Sequence, residues 1–126
     1  MKKAKGIDGK LDDAWALAVK IQAGYVCEYD GCGKETHLNS HHVYSRSNRS
    51  VRWDLTNGYC LCVGHHVFGN FSAHKSPMEF STWMREDRGE AWADALLIKS
   101  HQTMKWDKAS KEMLLEALKA YIETNK

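Results

Sequence analysis

The chain has 126 residues, of which 43% are hydrophobic and 27% charged, and a formal net charge of +2. That length suits one domain with its own core, and so small a net charge excludes a uniformly basic nucleic-acid binder; any basic surface must be local. No run approaches the roughly 20 apolar residues of a membrane helix. The N-terminal lysines are not followed by the apolar stretch of a secretory signal. A reducing cytoplasm is therefore the expected setting, where clustered Cys and His bind metal more often than they form disulfides.

Residues 1–10 read as a flexible basic arm. From Leu11 the apolar residues Leu11, Ala14, Trp15, Ala18 and Ile21 recur at helical spacing, Asp12 and Asp13 suit a first turn, and Gly24 suits a stop, so a scaffold helix is expected over 11–24. Cys27 and Cys32 then flank Asp30-Gly31, with Gly33 following: a turn able to fold two thiolates onto one ion. His37 to Tyr44 reads as a short strand. Ser45 to Asn57 is a polar loop carrying Arg46, Arg49, Arg52 and Trp53, the last expected to anchor into the core. Gly58 to Val63 reads as a second strand, with Tyr59, Leu61 and Val63 on one face and Cys60 and Cys62 on the other. Gly64-His65-His66 opens a predicted helix.

The C-terminal half is helical by pattern. Ser76-Pro77-Met78-Glu79 has the form of an N-cap, a first-position proline and a capping box. Phe80, Trp83 and Met84 form the face of that helix, and Gly89 ends it. A helix over about Glu90 to His101 carries Ala91, Trp92, Ala95, Leu96 and Ile98. A last one runs from Asp107 or Ser110 to near Thr124, with Met113, Leu114, Ala117, Leu118 and Tyr121 inward. These stripes are read as core packing.

The stretch Ser40–His74 holds five of the seven histidines and two of the four cysteines. Cys27-x4-Cys32 and Cys62-x2-His65 together can close a tetrahedron around a structural Zn2+, thiolate and imidazole being ligands that zinc prefers. Cys60 shares the predicted strand face of Cys62 and stands as the alternative third thiolate. His41, His42, His66 and His74 are left over. Adjacent strand residues point to opposite faces, so His41 and His42 divide the labour of metal ligand and general base.

Cys27-x4-Cys32, Ser40-His41-His42-Val43, Asn57 and Leu61-Cys62-x2-His65-His66, in that order, resemble the HNH nucleases, also called ββα-metal or His-Me finger nucleases. The match spans about residues 25 to 77. The loop with Arg52-Trp53-Asp54 looks most like the phage NinG (Rap) recombination nucleases, which act on branched DNA. The resemblance implies an α+β fold: a small zinc-stabilised ββα-metal module with a two-stranded antiparallel hairpin over 25–75, flanked by an N-terminal helix and C-terminal helices. It implies an endonuclease that hydrolyses DNA phosphodiester bonds to 5′-phosphate and 3′-hydroxyl ends. In it His42 is the general base and Asn57 fixes the base-bearing strand and helps orient the imidazole. His41 and His66 hold a catalytic Mg2+, Mn2+ or other divalent ion. His74, in its His-Lys-Ser-Pro context, is the expected third ligand, with Asn70 as the alternative. His65 stands where the family's zinc knuckle usually has cysteine.

Arg46, Arg49, Arg52 and Lys75 face a single acid, Asp54, between residues 40 and 75, a local basic footprint for DNA phosphates. A dimer would suit paired cuts. Two other readings compete: a non-catalytic zinc-stabilised DNA-binding module, which needs neither His42 nor Asn57, and a metal-binding interaction protein using the last helix as its interface.

Overall fold

The computed structural model describes residues 5–126. The chain is α+β: helix α1 (Ile7–Gln22), strand β1 (Leu38–His42), strand β2 (Gly58–Cys62), then helices α2 (Pro77–Arg88), α3 (Glu90–Ser100) and α4 (Lys108–Asn125). A 3-10 turn (Leu55–Asn57) precedes β2 and a π-helical turn (Gly64–Phe68) follows it. Among the described residues no helix is long and apolar enough to cross a membrane.

β1 and β2 pair antiparallel from Leu38 opposite Cys62 to His42 opposite Gly58. One backbone bond beyond each end, Val63 N–H to the His37 carbonyl and Val43 N–H to the Asn57 carbonyl, extends the pairing. The regular strands are shorter than the sequence suggests. His37 has φ +55°, which ends β1 on that side. Val63 leaves the strand and starts the π turn, so it does not share a strand face with Tyr59 and Leu61.

The helix expected over 11–24 starts earlier, at Ile7, with extended Gly6 as its N-cap. Residues 7–10 of the predicted arm are therefore helix; its first four residues lie outside the described ones. Gly24 (φ +70°) and Tyr25 (φ +58°) turn the chain away after Gln22.

The hairpin is covered on both faces. On one, Leu11, Trp15, Ala18 and Val19 of α1 cluster with Trp53, Cys60 and with Leu115 and Leu118 of α4. Here α1 comes so close to Gly58 that a Cβ there would lie 2.5 Å from Val19 Cγ2 and 3.0 Å from the Trp15 ring. On the other face, Tyr59 and Leu61 cluster with Phe80 and Met84, and Cys27 and Cys62 at the end of the hairpin pack against the same cluster, joining the cysteine turn to α2. Glu28 ties this layer together. Its carboxylate accepts from Cys60 N–H at 2.7 Å and from Arg88 at 3.4 Å. The Arg88 guanidinium also lies 3.6 Å from the Tyr59 ring centroid, a cation–π contact.

Three helix details depart from the sequence pattern. Ser76 is the N-cap of α2 by position, but its hydroxyl donates to the Asn70 carbonyl, so the predicted capping box is not made. In α3 the buried residues are Ala93 and Leu96, and Ile98 is 63% exposed. In α4 they are Leu115 and Leu118, and Met113 is 74% exposed. In both helices the buried stripe is displaced around the axis because only one side of each meets the body. The capping box that does form belongs to α4, between Asp107 and Ser110.

Candidate metal centres and the adjoining cleft

The cysteine turn is built from tight backbone geometry. Cys27 N–H donates to the Lys34 carbonyl at 2.8 Å and Cys32 N–H to the Tyr29 carbonyl at 3.0 Å, with Gly31 and Gly33 at positive φ. This aims both thiols at the end of β2. There the ligand atoms of Cys27, Cys32, Cys62 and His65 all lie within 4.8 Å of one another. Cys32 Sγ is 3.9 Å from Cys62 Sγ, and His65 Nδ1 is 3.3 Å from Cys62 Sγ and 3.6 Å from Cys27 Sγ. A tetrahedral zinc with ordinary bond lengths has sulfur–sulfur edges of about 3.8 Å and sulfur–nitrogen edges of about 3.5 Å. The cysteines are free thiols. The donor set fits a metal such as zinc, held by three thiolates and one imidazole.

Burial pushes the Cys27 thiol up to about 12, although hydrogen bonds from Cys62 and Tyr29 pull the other way. Burial also raises Cys62, yet hydrogen bonds from the backbone N–H groups of His65 and Gly64 and from neighbouring thiols hold it below its ordinary value. A bound cation would remove the Cys27 proton outright. Tyr29 stacks on the His65 ring, centroids 4.2 Å apart, and closes that side. Cys60, the alternative ligand, faces the α1–α4 layer and stays outside the set. Burial and then the Glu28 charge raise its thiol to about 11.

His65 and His66 are neighbours on the π turn, so their side chains leave in different directions. His66 joins His41 and His74 in a second set whose ligand atoms also lie within 4.8 Å. His66 Nε2 and His74 Nε2 are 3.1 Å apart, near the roughly 3.3 Å edge of a tetrahedron of nitrogen ligands. His74 does not arrive on a continued helix. Gly69 ends the turn, its N–H on the Gly64 carbonyl at 2.8 Å; residues 70–74 double back, bonding Ala73 N–H to the His65 carbonyl and His74 N–H to the His66 carbonyl. Asn70, the alternative ligand, is exposed, and its backbone carbonyl accepts from the Ser76 hydroxyl at 2.7 Å.

Burial, and then the neighbouring imidazoles, lower His41 to about 3 and His66 to about 4. They are neutral near pH 7, with lone pairs available, as metal ligands must be. His66 Nδ1 is buried without a partner among the described residues.

His41, His66 and His74 line an open cleft of about 470 Å³ together with Ser40, His42, Ser45 and Arg46. His42 Nε2 donates to the Arg52 carbonyl at 3.0 Å, which leaves Nδ1 as the free lone pair. Its ring lies on the Trp15 indole, centroids 3.9 Å apart. Burial lowers its pKa below the ordinary value, while the Arg52 carbonyl and the Asp12 charge oppose the shift. Asn57 is fully buried. Its side chain accepts from Tyr44 N–H at 2.8 Å and donates to the Tyr44 carbonyl at 3.0 Å, clamping the exit of β1. The bond that orients His42 comes from the Arg52 carbonyl, where the resemblance implies a contribution from Asn57. A larger apolar cavity of about 570 Å³, between Trp53, Trp106 and α4, has no Cys or His in its lining.

The four expected phosphate contacts are not equivalent. Arg52 binds the Asp12 carboxylate through two nitrogens, at 3.1 and 2.8 Å, and its side chain is only 12% exposed. It is withdrawn into the fold. Arg46 also reaches Asp12, at 3.2 Å, but is mostly exposed at the cleft. Arg49 lies 3.8 Å from Asp8. Lys75 is exposed and donates to the Phe68 carbonyl. Counting charges along the loop finds only Asp54; the fold adds Asp8 and Asp12 from α1, so the basic footprint is weaker than the sequence suggests. Trp53 is an anchor, 2% exposed, its indole N–H on Asp12 at 2.8 Å.

Along the sequence Asp12 and Trp15 have the pattern of scaffold residues. They stand three apart on α1 and reach the His42 side of the cleft; the i, i+3 spacing alone does not tell which side chains they meet. No family model, curated protein or solved structure matches this chain.

Proposed function

We infer that the protein is a metal-dependent DNA endonuclease of the HNH, or ββα-metal, type. The observation that carries this reading is one cleft that gathers three imidazoles, those of His41 and His66 held neutral by burial, with a fourth whose single proton is committed to a backbone carbonyl. A structural site needs no spare base beside it.

His41, His66 and His74 would hold Mg2+, Mn2+ or a similar divalent ion. When bound, such an ion supplies positive charge for the scissile phosphate and the leaving oxygen. His42 accepts the proton of an attacking water at Nδ1, because Nε2–H is already bonded to Arg52. The water oxygen bonds to phosphorus, the bond from phosphorus to the 3′ oxygen breaks, and that oxygen takes a proton from solvent. A lowered imidazole pKa keeps His42 unprotonated and ready at neutral pH. Asn57 holds the end of β1 so that His41 and His42 keep opposite directions. Arg46, Arg49 and Lys75 are the cations left to meet DNA phosphates, and a closed Cys3His zinc site holds the hairpin shut.

The test is cleavage of supercoiled plasmid, linear duplex and a four-way junction by zinc-loaded protein with Mg2+ or Mn2+. His42→Ala is expected to lower the rate by roughly 10²- to 10⁴-fold. Equal cleavage with and without His42 would overturn the mechanism. Binding to DNA without any cleavage would instead favour the non-catalytic zinc module.

A further inference from the structure

His42 is gripped from outside the hairpin. Its ring lies nearly parallel to the Trp15 indole, with 10° between the planes. Trp15 is itself tied to the far loop, its indole N–H on the Asp54 carbonyl at 2.8 Å. The Arg52 carbonyl that receives His42 Nε2–H sits on a residue whose guanidinium is forked onto Asp12. The next residue, Trp53, donates to the same carboxylate. Ser40 on β1 adds a third tie, its hydroxyl on the Ala16 carbonyl at 2.6 Å. Asp12 and Trp15 are three apart and share one helix face.

We propose that Asp12 and Trp15 are positioning residues for the His42 base: Asp12 acts through the Arg52 backbone carbonyl, and Trp15 stacks on the imidazole. Helix α1 is thus part of the working site, although it lies outside the stretch that resembles the nuclease module. An imidazole at the end of a short strand can otherwise rotate, and a general base must meet its proton within hydrogen-bond reach. A bidentate arginine–carboxylate pair is directional, so it fixes the loop backbone as well as its charge. This explains why Arg52 is turned inward and not towards DNA. The catalytic half of the inference rests on reading His42 as the base; the positional half does not.

The test compares Asp12→Asn, Arg52→Lys, Trp15→Leu and Trp15→Phe, with Asp13→Asn as a control on the same helix whose partner is Lys5. Melting temperature and zinc content are measured first. The positional readout is the His42 Nε2–H proton in the NMR spectrum, protected from solvent by the Arg52 carbonyl. It is expected in the wild type and in Asp13→Asn, and lost to exchange in Asp12→Asn and Arg52→Lys. On plasmid, Asp12→Asn and Trp15→Leu are expected to lower kcat by roughly 10²-fold with KM within about twofold. Trp15→Phe, which keeps a flat ring, retains most of the rate. Folded, zinc-loaded Asp12→Asn and Trp15→Leu with wild-type kcat and a protected His42 proton would overturn the proposal. If the wild type cuts no DNA, the proton alone decides: its loss in Asp12→Asn and Arg52→Lys supports the clamp while the nuclease reading fails, and its persistence overturns the clamp. If Asp12→Asn does not fold, Arg52→Lys and the two Trp15 variants decide in the same way.

Discussion

Two ligand sets share one five-residue turn and differ in almost every physical respect. The Cys27–Cys32–Cys62–His65 set has two buried residues, is backed by Tyr29, and its four donors leave no room for a substrate. The His41–His66–His74 set has three imidazole donors, includes an exposed residue and opens onto a cleft with a further histidine. Four donors that include thiolates saturate zinc and make a structural site; three imidazoles leave positions open. The division falls between His65 and His66, and the bend of the π turn separates them. One short turn therefore carries a member of each set.

The largest effect is expected at the closed site. Cys62→Ser, or removal of metal by a chelator, is expected to unfold the hairpin, because structural zinc supplies about 10 kcal/mol or more in small zinc-dependent folds. Circular dichroism with metal analysis checks this, and a chelated protein with an intact fold would contradict it. The open site would be lost in the same step, since His66 depends on the same turn. Asn57→Ala acts on the other side. It leaves the N–H and carbonyl of half-buried Tyr44 without their side-chain partners, at a cost of about 1–3 kcal/mol for two lost hydrogen bonds. Urea denaturation should show that loss while zinc stays bound.

Gly58→Ala sharpens the role of α1. The added methyl meets Val19 and Trp15, so overpacking should cost about 1–3 kcal/mol. Because Trp15 also carries the His42 ring, the same variant should lower plasmid cleavage more than its stability loss explains. His66→Ala is expected to have the smallest effect on the fold, within about 1 kcal/mol, and to abolish cleavage. A His66→Ala protein that melts far below the wild type would mean that this histidine is structural.

How far the sequence is legible follows from what each feature depends on. The thiolate set is readable because Cys27, Cys32, Cys62 and His65 lie in two short-spaced pairs, each next to a turn-forming glycine. His41 and His42 are separable because strand alternation is a local rule. His74 is readable as a nearby histidine, but its route to His41 and His66 is not: the chain doubles back over the π turn, where helical spacing implies a continued helix. The stripes of α3 and α4 are misplaced at Ile98 and Met113 because periodicity marks an apolar face without saying how wide a body covers it. Least legible is the Asp12–Arg52 pair. It joins residues forty positions apart, and no pattern along the loop reveals that its arginine is already engaged.

The separation of the two sites is tested most directly by titrating metal-free protein with Co2+ and following its absorption spectrum in the wild type, His66→Ala and Cys62→Ser. Two equivalents are expected in the wild type: the first with intense thiolate-to-metal bands, the second with only weak bands from nitrogen and oxygen ligands. His66→Ala should lose the second and keep the first unchanged. A single equivalent in the wild type, or a His66→Ala protein whose thiolate bands are altered, would contradict the division between His65 and His66.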